Sequence, residues 1–373
     1  MEWEALRAYQ EALLDSCAVG TDLAVYQGET PLYRHMNGFA NREAGVKVTA
    51  DTIFRVFSMT KPITCAVALM LHDQGRFLMT EPVGKYLPAF EQMWVKDGDD
   101  VREAEKPIRI LDLFTMTSGL SYELDRDSLR AAQKAHGFDL TMAQAAEAIA
   151  WDPLEFEPGT RFCYGLSHDV LGVLIERLCG ASLGECLEEM LFRPLRMSRS
   201  FFTVPDALRS SCAQCYASRP PFGREEEMER LFSAFPRMES GGGGLWMTMD
   251  DYLRFQRMLL REGSDEKGRP ILSRAAVRLM RTNHLASEAL TTYMQERPGY
   301  GYGLGVRVLM APEAIGALSL PGEYGWAGTQ GTWMMIDPER NVAAAFMMQG
   351  EPGPNHQVHP RLRNLVSAAV SCL

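Results

Sequence analysis

The spacing of apolar and polar positions changes character several times along the chain. Residues 1–17, MEWEALRAYQEALLDSC, alternate acidic and apolar side chains in the manner of an amphipathic helix. Residues 21–26 and 31–37 flank the turn Gln27-Gly28-Glu29 and read as a hairpin. Residues 63–72 are apolar at helical spacing and stop at Gly75, which predicts a buried helix with a marked end. From about residue 81 to residue 236, helical runs at 143–150, 169–179 and 183–191 are joined by Pro- and Gly-rich loops, with few alternating segments. Beyond the glycine run 241–244, residues 248–261 are helical in pattern. Residues 301–310, 314–320, 331–336 and 341–349 are strand-like, the last two joined across Asp337-Pro338-Glu339-Arg340, and a final helix covers 358–372.

Strands at both ends and helices between them predict an α+β fold, with one antiparallel sheet assembled from the two termini. In this reading residues 1–75 and 235–373 form the sheet-bearing subdomain and residues 76–234 an inserted, mainly helical one. An active site would lie between them.

Composition narrows the function classes. The chain has 373 residues, 46 % of them hydrophobic, and its 20 Pro and 32 Gly are scattered, so packed subdomains fit better than separate beads. A net charge of -10 with no basic run argues against a nucleic-acid partner. No apolar stretch approaches the ~20 residues of a membrane helix, and the N-terminus lacks the pattern of a secretory signal. The expectation is a cytoplasmic protein with no membrane partner. The 8 Cys then read as reduced thiols, and Cys212-x-x-Cys215 lacks two further ligands at zinc spacing. His356 and His359, at the Pro-rich approach to the last helix, read as surface-loop residues. No metal or cofactor is expected.

Candidate chemistry begins at Ser58-Met59-Thr60-Lys61. Residues three apart share a helix face, so a serine hydroxyl and a lysine amine can meet there. Chance alone produces roughly 0.4 such S-x-x-K matches in a chain of this composition, so context must discriminate. A second copy, Ser264-Asp265-Glu266-Lys267, sits in a polar loop where neighbouring acids and water keep the lysine charged. Ser58 instead follows apolar Ile53-Phe54-Arg55-Val56-Phe57 and opens the buried helix, where N-terminal amides can help to bind an oxyanion. Pro62 is tolerated in that first turn. The sequence contains no G-x-S-x-G, H-E-x-x-H, Walker loop or G-x-G-x-x-G.

Ser58-x-x-Lys61 is followed, in order, by Leu113-Phe114-Thr115-Met116-Thr117-Ser118-Gly119-Leu120 and by Pro158-Gly159-Thr160-Arg161-Phe162-Cys163-Tyr164. Then come Gly241-Gly242-Gly243-Gly244-Leu245 with Asp250-Asp251-Tyr252, Gly301-Tyr302-Gly303-Leu304-Gly305, and Gly325-Trp326-Ala327-Gly328. This series resembles the serine β-lactamase and penicillin-binding protein superfamily on its class C side, over roughly residues 20 to 350. Class C enzymes carry Tyr-x-Asn and Lys-Thr-Gly as second and third motifs; here Leu166 takes the Asn position and Trp326-Ala327-Gly328 replaces Lys-Thr-Gly. Both changes, and the run from Tyr164 to Gly172, are similar to family VIII carboxylesterases.

The resemblance implies a β-lactamase/transpeptidase-like fold and a hydrolase with Ser58 as nucleophile. It implies Lys61 and Tyr164 as a coupled acid/base pair, either of which could take the first proton. The oxyanion hole would be the Ser58 amide with the amide just after the third motif of Trp326 and Gly328, by position Thr329. Tyr122, Leu166 and His168 are candidates to line the pocket, although a helix-start histidine is the simpler reading of His168. The implied substrate is a small carboxylic ester. A β-lactamase, a D-amino acid peptidase or amidase, and an acyltransferase are the enzymatic alternatives, and an idle binding protein is the non-enzymatic one.

Overall fold

A computed structural model describes residues 3–136, 139–216, 237–350 and 355–372. The subdomain boundary expected between residues 234 and 235 lies outside the described residues.

The strands, in chain order, are β1 (Ala18–Gln27), β2 (Thr30–Asn41), β3 (Val46–Lys47), β4 (Ile53–Arg55), β5 (Trp94–Asp97) and β6 (Asp100–Glu103). They continue with β7 (Ser200–Phe201), β8 (Trp246–Thr248), β9 (Tyr300–Tyr302), β10 (Arg307–Leu309), β11 (Tyr324–Gly325), β12 (Trp333–Asp337) and β13 (Val342–Gly350). Eight of them form one antiparallel sheet in the order β3-β2-β1-β13-β12-β11-β10-β9, so strands from the two termini meet at its centre. The register pairs Leu23 with Phe346 and Ala24 with Ala345.

Because side chains alternate across a strand, each central strand feeds two cores. Leu23, Val25, Ala344 and Phe346 face the terminal helices Glu4–Ala12 and Asn355–Ser371 through Leu6, Val358, Leu362 and Val366. Ala24, Ala345 and Met347 face the opposite core, with Met59, Ile63, Tyr252 and Phe255 of the helices Thr60–Asp73 and Met249–Leu260 and the turn before the first of them. Strand β13 is buried along its whole length, which is why it reads as a continuous apolar run rather than an alternating one. The Thr60–Asp73 helix is buried from Thr60 to Leu71 on every side, and it ends with Gly75 at φ +70°. It packs against the helix Ser167–Cys179.

Three expectations are corrected. Residues 301–310 form a hairpin, β9 and β10, closed by Gly303 N–H donating to Val306 O at 2.8 Å. Residues 314–320 are not a strand. A short 3-10 turn, Pro312–Ile315, starts there, and Asn364 of the last helix satisfies Leu318 N–H and Gly316 O in place of a ladder partner. The segment 183–191 is helical only over Leu183–Leu187 before it widens into a π turn at Glu188–Phe192, next to Pro194, whose ring and missing N–H disfavour a regular turn. The middle of the chain also contains the β5–β6 hairpin, and β4, β8 and β7 form a small sheet.

No helix among the described residues is long and apolar enough to cross a membrane. Among the described residues no cluster of His, Cys, Asp and Glu is placed to hold a metal ion; Cys215 Sγ lies 3.1 Å from Gln349 Oε1 instead. His356 and His359 belong to the Asn355–Ser371 helix rather than to a loop, and His359 stacks on Trp333.

His168 does not line a pocket. Its side chain is completely buried near the start of the Ser167–Cys179 helix, and its Nε2 lies 3.2 Å from Phe114 O. Burial and the nearby Lys61 charge push its pKa down to about 3, so the imidazole is neutral in the folded protein. An unfolded histidine binds a proton near pH 6.5, so this group's contribution to stability is complete above that pH and is lost on acidification towards pH 3. Replacing His168 with Gln is therefore expected to flatten the fall of unfolding free energy between pH 6.5 and pH 4 by up to about 1.4 kcal/mol per pH unit. Urea titrations of both proteins across that range check this; parallel pH curves would contradict it.

Candidate active site

Ser58 lies in a 3-10 turn, Phe57–Met59, between β4 and the buried helix. Phe57 holds φ at +46°, a left-handed conformation that costs a bulky residue on the order of 1–3 kcal/mol. The surroundings impose it. Val56 N–H donates to Leu245 O, Leu245 N–H donates to Thr60 Oγ1, and Tyr252 OH donates to Met59 O at 2.9 Å. The sharp turn leaves Ser58 partly exposed while the helix that follows disappears into the core.

One helical step on, Lys61 is fully buried. Its Nζ donates to Ser58 Oγ at 3.2 Å, to Tyr122 OH at 2.8 Å and to Gly242 O at 2.6 Å, which uses all three N–H bonds of an ammonium. Burial opposes this charge, but Tyr122, Tyr164 and Asp169 outweigh it and hold the Lys61 pKa above the ordinary lysine value. Burial likewise raises the Tyr122 phenol above its usual range, against the pull of Lys61. Both directions describe one resting state, a charged lysine beside a neutral phenol.

Tyr122 and Tyr164 come from two loops that cross at Gly165, where a methyl group would fall 2.0 Å from Leu120 O. Only glycine allows that approach. The two rings then meet edge to face at 5.4 Å, and Lys61 Nζ lies 4.6 Å from the Tyr164 ring centre. Tyr164 OH accepts a 3.3 Å hydrogen bond from Trp326 Nε1. Thus Tyr122, rather than Tyr164, is the phenol hydrogen-bonded to Lys61.

The third motif reaches Ser58 through a second close approach. A methyl group on Gly328 would fall 2.6 Å from Val56 O, and Thr332 Oγ1 donates to that same carbonyl at 3.2 Å. Gly328 N–H is committed to Thr332 O, and Thr329 follows on the exposed side of the turn. Leu166, expected in the pocket wall, is packed in the main core below the crossing loops.

Two residues of the constellation were not among the expected site residues. Gly242 supplies a carbonyl, and Asp169 fixes it: its Oδ1 accepts from Ser240 Oγ at 2.5 Å and from Gly242 N–H at 3.1 Å. Asp169 is buried, and burial raises its pKa despite the pull of Lys61 and these two donors. Its position five residues after Tyr164 and the glycine run at 241–244 were visible, but the meeting of the two was not. The second S-x-x-K remains a surface turn, in which Asp265 accepts Lys267 N–H and binds Arg269.

The chain is similar to known proteins along most of its length. Protein Rv1367c of Mycobacterium tuberculosis is 34 % identical over 350 residues, covering 89 % of this chain and 86 % of its own length. Esterase EstB of Burkholderia gladioli is 29 % identical over 377 residues, covering 93 % and 91 %. The solved structure of EstCE1, described as a hydrolase with promiscuous acyltransferase activity, superposes with a TM-score of 0.80 at 24 % identity over 98 % of this chain and 97 % of its own, which speaks to the fold. The family model described as Beta-lactamase matches residues 6–368. The chain therefore belongs to the Beta-lactamase family and is a serine hydrolase with the β-lactamase/transpeptidase-like fold.

Proposed function

We propose that the protein is a carboxylesterase that cleaves small neutral esters through an acyl-enzyme on Ser58. The observation that carries this reading is the contact set of the buried Lys61 with the more exposed Ser58 and Tyr122, beside a third motif that contributes an indole instead of an ammonium. Similarity to an esterase over nine-tenths of both chains supports it.

In the mechanism, a phenol of the Tyr122–Tyr164 pair first gives up its proton to water, and Lys61, charged throughout, stabilises the resulting phenolate. The phenolate takes the Ser58 proton as Oγ bonds to the acyl carbon. The oxyanion is held by the amides of Ser58 and Thr329. The C–O bond to the alcohol then breaks and the phenol returns its proton to the leaving oxygen. Water repeats the sequence and releases the acid. The substrate class follows from charge. Trp326 offers one N–H, already given to Tyr164, and no positive charge for a substrate carboxylate. Losing one charge-assisted contact is worth about 1.5–3 kcal/mol, or roughly ten- to over a hundredfold in selectivity.

Ser58→Ala is expected to abolish ester hydrolysis and labelling by a serine-reactive phosphonate while leaving the thermal transition in place. Ser264→Ala is expected to change neither. A wild-type protein that forms no Ser58 adduct would instead be a binding protein that has kept the fold.

Lys61→Ala and Tyr122→Phe, like Tyr164→Phe, are each expected to lower kcat by orders of magnitude. Combining Lys61→Ala with either tyrosine variant should cost little more than the worse single change, because groups that act as a unit are non-additive. Losses that multiply would show independent roles.

The kcat/KM for a short-chain nitrophenyl ester is expected to exceed that for a chromogenic cephalosporin on the same preparation. The reverse order would favour a β-lactamase.

A further inference from the structure

The oxyanion turn is gripped from outside by the C-terminal helix. Asn355, the first residue of Asn355–Ser371, donates from Nδ2 to Gly328 O and to Thr329 O, both at 3.2 Å. Only the NH2 end of an amide can face two carbonyl oxygens, so these bonds fix which way the side chain points. One turn later His359 Nε2 lies 3.0 Å from Gly331 O, and its ring stacks on Trp333. Burial holds this imidazole neutral, with its pKa pushed down to about 4, so Nε2–H is the donor to that carbonyl. From within the turn, Gly331 N–H donates to Gly328 O at 3.2 Å. Three of the four carbonyls from Gly328 to Gly331 are thus held by the last helix.

From this we infer that Asn355 is a positioning residue that aims the Thr329 amide at the oxyanion; the inference rests on the proposed acyl-enzyme mechanism. A trans peptide is planar, with its C=O and N–H on opposite sides. Gly328 O and Thr329 N–H belong to the same peptide unit. Drawing that oxygen towards Asn355 turns the Thr329 N–H to the opposite side of the peptide, and Gly328 itself lies close to Val56, two residues before Ser58. The second bond, to Thr329 O, fixes the next peptide plane, so both planes flanking Thr329 are set by one side chain. Gly328 needs such help, because a residue without Cβ lets a peptide rotate more freely than any other. A preorganised donor costs nothing to reorient when negative charge develops, whereas one free to swing must be ordered at each turnover.

Three variants test this. Asn355→Ala removes both bonds and is expected to lower kcat about tenfold to a hundredfold, below the full loss of an oxyanion donor, with little change in KM. Asn355→Asp keeps the shape but turns a donor into an acceptor facing two carbonyls, so its kcat should fall below that of the alanine variant. The helix dipole favours the same carboxylate at a helix start and offsets its repulsion from the two carbonyls, so the thermal midpoint should not fall below that of Asn355→Ala. Activity below that of the alanine variant at no lower stability is a result that a merely structural role would not give. Asn364→Ala, which loses similar bonds to Gly316 O and Leu318 N–H on the same helix, should leave kcat unchanged. Phosphonate labelling of the wild-type protein separates the two levels. No Ser58 adduct overturns the acyl-enzyme mechanism and this inference with it. A normal adduct together with wild-type kcat in Asn355→Asp overturns this inference alone.

Discussion

A lysine ammonium without access to water needs three hydrogen-bond acceptors and compensating negative charge, and much of the architecture around Ser58 supplies them to Lys61. Its acceptors come from three separate parts of the chain: the turn after β4, the loop that follows Leu120 and the glycine run before β8. Asp169, on a fourth segment, lies near enough to act on Lys61 through space and holds the glycine run through Ser240 and Gly242. Removing any one of these would leave a buried charge or carbonyl unsatisfied, so the catalytic contact set and the packing of the core are the same problem.

The sheet sets the distances within which this is solved. Pairing β1 with β13 brings the two ends of the chain together, and the helices Thr60–Asp73 and Met249–Leu260 pack on one face of it. The helix Asn355–Ser371 packs on the other face, yet its first turn reaches round to the third motif through Asn355 and His359. Close backbone approach substitutes for side-chain bulk at two points, Gly165 against Leu120 and Gly328 against Val56. The first brings the two tyrosines together. The second brings the third motif against the turn that carries Ser58. The strained φ of Phe57 belongs to the same design, since a relaxed turn would carry Ser58 away from both.

The charge beside Ser58 depends on what the third motif carries. An indole whose N–H is bound to Tyr164 leaves the motif neutral, and behind it lies an aromatic layer of Trp326, Tyr302, Tyr293 and Phe162, with the Arg297 guanidinium over the Phe162 and Tyr293 rings.

Local pattern was enough to mark the hairpin of β1 and β2, the buried helix after Ser58 and the glycine-marked turns, because hydrophobic period and conformational preference are properties of a few adjacent residues. It also separated Ser58-x-x-Lys61 from the copy at Ser264, since one is followed by an apolar helix and the other by a polar loop. Local pattern misread residues 314–320, where a distant asparagine replaces the ladder partner, and 301–310, where a turn splits an apolar run. It also misplaced Leu166 and His359, whose surroundings come from segments far along the chain. The residue types needed for chemistry were therefore written in the sequence. Which phenol bonds to Lys61, which carbonyl accepts its third proton and which side chain grips the oxyanion turn were decided only in three dimensions, because hydrogen bonds depend on ångström-scale approach between segments that share no sequence signal.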